Sequence, residues 1–230
     1  MTKEFEIKVP SVKENIQLHK YQKYIKLLQD NEDIDADFHR LKVLQIFCGL
    51  ELNEANKLPV AELDFIVDHI VKIMSTEDKL QRRFTMTDPN GKTVEFGFMP
   101  NLSEMTLGEY VDLESYVSDW EQMHKALAVM YRPIVAGKGE FYEIEEYEGS
   151  AKYANIMKDA PMNVATGAMV FFYSLGKELL KTTLRSLQEG LQKDPQQQKL
   201  PSETSGDGIN QYMHSLEEMF SSLETLQKQI

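Results

Sequence analysis

The 230-residue chain has one cysteine, Cys48, so no disulfide can close within it. Cys48 lies in LQIFCGL, where a small buried thiol is the expected use. Long hydrophobic runs are missing as well. The most apolar stretch, MNVATGAMVFFYSLG (162–176), is interrupted and falls short of the ~20 residues that span a bilayer. The N-terminal KEFEIKVP alternates charge with hydrophobe and lacks the apolar core of a signal peptide. Cations are outnumbered: 25 Lys and Arg stand against 37 Asp and Glu, a net charge of −12. That balance repels a phosphate backbone or an anionic membrane, and the visible basic stretch is the short one from Lys79 to Arg83. No nucleic acid and no membrane is therefore expected as a partner, and a cytoplasm, or a particle assembled in one, is the expected compartment.

Reactive motifs are equally scarce. Gly91-Lys92-Thr93 resembles the end of a phosphate-binding loop, but Met86 stands where the first glycine is required. Asp33, Asp35 and Asp37 have calcium-loop spacing, yet Phe38 replaces the turn glycine and Leu44 the closing acid. Those acids are better used as caps and dipole partners of a helix. His19, His39, His69, His124 and His214 are scattered singly, without zinc-ligand spacing. The carboxylates of EIEEYEG (143–149) are expected along a solvated strand edge. No Gly-x-Ser-x-Gly motif is present, and Cys48 has no catalytic context. The sequence predicts a non-enzyme, with no catalytic residue, cofactor or metal.

What the chain does have is 42% hydrophobic residues, enough for a core, mostly at helical spacing. A short strand is predicted around Phe5, Ile7 and Val9, ended by Pro10. Helices follow over 16–29 (Leu18, Tyr21, Ile25, Leu28) and 35–48, the second stopped by Gly49. LNEANKLP reads as a short helical turn, and Val60 to Met74 as an amphipathic helix with Leu63, Ile66, Ile70 and Met74 inward. In RRFTMTDPNGKTVEFGFMP, alternating Phe84 and Met86, then Asn90-Gly91, then Val94, Phe96 and Phe98 predict a β-hairpin near 82–99.

Thr106 with Glu109, and Ser118 with Glu121, are predicted capping boxes. The second opens WEQMHKALAVMY, a helix that Pro133 closes. GEFYEIEEYEG reads as extended, 153–158 as a short helix, and Asp159 with Pro161 as the start of a long helix reaching about Gln192. The predicted class is mainly α (α+β): a helical domain over 1–193 with a β-hairpin and short strands. A Gln-, Ser- and Gly-rich linker follows over 194–208. A tethered amphipathic helix over 209–230 then aligns Ile209, Tyr212, Met213, Leu216, Met219, Phe220, Leu223 and Leu226 on one face. Such a helix is marginal alone, so these eight residues are the candidates for binding, against either their own domain or a partner.

One phrase occurs twice. Pro10, Glu14 and Leu18-x-x-Tyr21 are echoed by Pro100, Glu104 and Leu107-x-x-Tyr110, the first copy with one extra residue. Each reads as a strand, a proline exit, and a helix whose first turn offers Leu and Tyr to a core. Two related units, 4–75 and 82–193, would explain the echo; so would the coincidence of common cap chemistry.

The run FGFMPNLSEMTLGEYVDLESYVSDWEQMHKALAVMYRPI resembles a family of tailed-bacteriophage proteins, most of them uncharacterised. YEIEEYEG, MNVATGAMVFFYSLGKELLKTTL, VPSVKENIQLHKYQKYIKLL and LQIFCGL extend the likeness over most of residues 4 to 190. A thinner similarity, the strand-proline exit into a short helix, points to baseplate-hub assembly proteins of contractile-tailed phages. The resemblance implies a non-enzymatic tail or baseplate assembly factor, a chaperone-like binder whose protein partners are phage tail components. It would be found in the host cytoplasm or in the virion. A structural virion component, such as a ring, connector or cargo protein, is the alternative. Neither likeness brings catalytic residues.

Overall fold

A computed structural model describes residues 7–31, 35–88, 91–139 and 141–174, with Ser103 described by its backbone alone. The chain divides into two compact units, Met1–Ala168 and Met169–Ile230. Several expectations lie outside the described residues: the strand at Phe5, Asp33, the helix beyond 174, the 194–208 linker, and the terminal helix with its eight candidates and His214. The fold is mainly helical with one small antiparallel sheet, as the sequence predicts.

Helix α1, Leu18–Gln29, buries Leu18, Tyr21 and Ile25, one stripe at helical spacing. Its N-cap Gln17 makes no side-chain cap. Instead the amides of Leu18 and His19 donate to the carbonyls of Ala160 (2.9 Å) and Lys158 (2.8 Å). In return the Met162 amide, which opens the helix over 162–174, donates to Ile16 O at 2.8 Å. Gln17 and Pro161 form an isolated antiparallel bridge, so two helix starts satisfy each other's open donors. Pro161 thus stands just ahead of that helix.

Asp35 caps α2, Ala36–Val43, by accepting from the amides of Asp37 and Phe38, the role expected of these acids. The helix then widens into a π turn, Leu44–Cys48, ended by Gly49 at φ 72°, a conformation glycine adopts without Cβ strain. Lys20 Nζ donates to Phe47 O at 3.2 Å and covers an open carbonyl there. After α3, Leu52–Ala55, helix α4 runs Val60–Met74 and buries Leu63, Ile66, Ile70, Ile73 and Met74.

Strands β1, Arg83–Thr87, and β2, Thr93–Phe98, form the predicted hairpin, closed by Asp88 N to Lys92 O at 2.8 Å with Gly91 at φ 81°. Strands β3, Tyr131–Lys138, and β4, Phe141–Ile144, complete an antiparallel sheet in the order β1-β2-β3-β4. Here the sequence reading is corrected, since Pro133 does not close a helix. Helix α6, Met123–Met130, ends earlier, and the chain turns straight into β3. Residues 131–133 pair with β2 and residues from 134 onward with β4, so Pro133 sits where the strand changes partner. A missing N–H costs little at such a changeover. The cap before α6 is Asp119, which accepts from Glu121 N and leads the 3₁₀ turn Trp120–Gln122; Ser118 is not the cap.

One sheet face joins an aromatic core. Phe84 stacks on Phe96 at 5.7 Å between centroids, and Tyr131 meets Phe84 and Phe98 edge-on at 5.1 and 5.2 Å. Trp120, 1% exposed, meets Tyr21 edge-on at 4.8 Å and ties α1 to the 3₁₀ turn Trp120–Gln122. On the other face the Tyr142 ring lies over Gly97, under the Arg83 guanidinium at 5.4 Å, with its hydroxyl donating to Phe98 O at 2.6 Å. A Cβ on Gly97 would run into that ring and lie 2.9 Å from Ile134 Cγ1. Gly97→Ala is expected to cost about 1–3 kcal/mol by overpacking. A chemical melt would check this, and a neutral result would mean that Tyr142 moves aside freely.

The twice-written phrase repeats as a path. Pro10 leads to the 3₁₀ turn Lys13–Asn15 and α1, and Pro100 to the 3₁₀ turn Leu102–Glu104 and helix α5, Leu107–Tyr116. Its use in packing does not repeat. Leu18 is fully buried whereas Leu107 is 78% exposed, so the second copy does not offer its leucine to the core. Residues 7–10 join no ladder, while 93–98 form β2. Helix α7, Ala151–Met157, then precedes the bridge. No helix among the described residues is long and apolar enough to cross a membrane.

Candidate functional site

With its inner stripe buried, α4 turns Val60, Phe65 (74% exposed) and Val71 outward. Ala61, Glu62, Phe65 and Ile66 line a shallow pocket of about 480 Å³ there. On α5, Leu107 and Val111 are one helical turn apart and exposed. At the β3–β4 end, Val135 and Phe141 are exposed, Phe141 at 88%. Single surface hydrophobes are ordinary; here two or three recur on each of three elements. The sequence reading assigned Leu107 to the core. Its position in a capped first turn, beside Gly108, was the available sign that nothing need lie against it.

Ionisable groups gather on the sheet face that carries Gly97. The predicted Thr106–Glu109 capping box forms: Glu109 Oε2 accepts from the Thr106 amide and hydroxyl, each at 2.7 Å. The other carboxylate oxygen lies 2.6 Å from Arg132 Nη1, and both side chains are under one tenth exposed. Burial by itself would raise the Glu109 carboxyl; the Thr106 donors and the Arg132 charge outweigh it and hold the group below its ordinary value. The contact is a close ion pair, while Arg132 Nε is buried without a hydrogen-bond partner. The guanidinium also lies 5.4 Å from the Tyr147 ring, whose hydroxyl bonds Asp112.

Beyond it, Lys152 bonds Glu145 (2.9 Å) and Glu148 (2.6 Å), and Tyr153 bonds Glu145. Hydrogen bonds from Tyr153 and Lys152 pull the Glu145 carboxyl down, and burial with that bond lifts Tyr153 to about 12. EIEEYEG, read as a solvated edge, is partly engaged in this network. These charges neutralise one another in place and fasten α5, β3, the 145–150 segment and α7.

The four described histidines serve separate segments. His19 Nδ1 faces Lys158 O and Asp159 at 3.1 Å, His39 Nε2 faces Tyr24 Oη at 3.0 Å, His69 Nε2 faces Pro10 O at 3.1 Å, and His124 Nδ1 faces Gln22 Nε2 at 3.0 Å. Cys48 is half-buried, and burial pushes its thiol up to about 11 despite nearby Lys20. Gly91, Lys92 and Thr93 form the end of the hairpin turn and the start of β2. Among the described residues, no group of three or more His, Cys, Asp or Glu is placed to hold a metal ion. No protein-family model, curated protein or solved structure matches the chain.

Proposed function

We propose that the protein is a non-enzymatic assembly factor of a bacteriophage tail or baseplate, binding tail components through apolar side chains kept at its surface. The observation that supports this reading is the solvent exposure of Phe65, Leu107 and Phe141 on a unit that already has a full core. The family resemblance supplies the kind of partner. A binder of this type presents hydrophobic anchors before its partner arrives and gains affinity from burying them.

The test is a full-length Phe65→Ser, Leu107→Ser, Phe141→Ser variant, compared with wild type for recovery of identified tail proteins from infected cells. The expected result is about tenfold weaker association or more, with an unchanged melting temperature. Deletion of the gene is expected to leave tails unfinished, and finished particles are expected to contain little of the protein. Normal tails after deletion would overturn the reading. A fixed copy number in purified particles would replace it with a retained structural component.

A further inference from the structure

A chain of net charge −12 places three lysines around one pocket. Helix α1 carries Lys20, Lys23 and Lys26 three residues apart, hence along one side. Lys20 is used on the Phe47 carbonyl. Lys23 and Lys26 instead line a pocket of about 340 Å³ together with Lys42 of α2. Its walls include the apolar side chains of Leu27 and Ile46, and Asp30 is its one acid. Lys42 Nζ donates to Gln45 Oε1 at 2.9 Å. Lys26 reaches Glu121 at 3.4 Å, an exposed pair of the kind that contributes little. Lys23 has no ion pair among the described residues.

The second anomaly is in the same place. Gln45 and Ile46 belong to the π turn, a helical form that is rare and concentrates at functional sites. Like charges held together repel, and an arriving anion relieves them. The chemistry of the ligand follows from the lining. Ammonium groups are flexible point charges without the planar fork of a guanidinium, so each can meet a carboxylate singly. Leu27 and Ile46 add a place for an aliphatic side chain. The overall negative charge disfavours any long polyanion, so the matching ligand is a short segment.

We propose that the pocket between α1 and the π turn docks an acidic peptide segment of a protein partner, its carboxylates against Lys23, Lys26 and Lys42 and an aliphatic side chain against Leu27 and Ile46. This assignment does not depend on the tail-assembly reading.

The experiment uses the full chain and a short fluorescent peptide of repeated Glu-Glu-Leu triplets, followed by anisotropy. Binding is expected to weaken with added salt and to fall about tenfold in a Lys23→Gln, Lys26→Gln variant. A Lys72→Gln, Lys138→Gln variant, which loses the same charge on exposed positions elsewhere, is expected to bind as wild type. No binding to wild type, or equal loss in both variants, overturns the proposal. So does displacement of the peptide by inorganic phosphate at low concentration, which would mark a small-anion site. Stronger competition by a single-stranded oligonucleotide would mark a nucleic-acid surface and overturn it as well.

Discussion

Arg132→Ala is expected to lower folding stability by about 3–5 kcal/mol near neutral pH, read by urea unfolding. The loss is large because the substitution strands a partner. Glu109 is 4% exposed and 2.6 Å from the guanidinium, so without Arg132 its carboxylate stays buried with only the Thr106 donors. The pH dependence gives a second reading of the same interaction. In the wild type the Glu109 carboxyl is held below its ordinary value. The stability it contributes is present above the unfolded-state value and is lost as pH falls through the lowered folded-state value. In Arg132→Ala that attraction is gone and burial is opposed by the Thr106 donors alone. The deficit relative to wild type should therefore narrow in acid, as Glu109 takes up a proton and no longer needs a counter-charge. A deficit under about 1 kcal/mol at every pH would place this pair with ordinary exposed ones.

Lys13→Met is the second large effect, expected to cost about 3 kcal/mol. Lys13 is 5% exposed, and its ammonium donates to Thr76 O and Asp78 Oδ2, each at 2.6 Å. Asp78 also accepts from the hydroxyl of Thr166, for whose single proton Met162 O, 2.9 Å away, is the alternative acceptor. Asp78 thereby ties the segment after α4 to the helix beginning at Met162, and the Lys13 ammonium ties the same segment to the N-terminal 3₁₀ turn. Removing the ammonium leaves Asp78 with a single hydroxyl donor. Amide hydrogen exchange should accelerate over residues 75–82 more than in the sheet, since the loss is local before it is global. Unchanged exchange there, with a full stability loss, would mean that Lys13 acts mainly through packing of its stem.

Where the structure follows the sequence, the cause is local chemistry. Helix α4 has the predicted bounds because a single apolar stripe, Leu63, Ile66, Ile70 and Met74, starts after Pro59 and runs out at Ser75. The hairpin and the Thr106 box were legible for the same reason, since each signal lies within a few residues of its effect. Strand β3 was not legible. AVMYRPIV continues a helical pattern up to Pro133, and what makes it a strand is pairing with Phe96 to Phe98, more than thirty positions earlier. The lysine pocket was hidden likewise: Lys23 and Lys26 are regular on α1, but Lys42 joins them only when α2 folds back. Leu107 shows the converse, because a repeated local phrase says nothing about which side another element will cover.

The mutual capping at Gln17 and Pro161 sets an order of events during synthesis. His19 leaves the ribosome 139 residues before Lys158, the residue whose carbonyl it uses. Until the later segment emerges, the first turn of α1 must leave its amides to water. Full stabilisation of the earliest helix is thus deferred to the end of translation of this unit. A nascent chain halted before Ala160 should hold that helix only loosely, open to proteases that the completed chain resists.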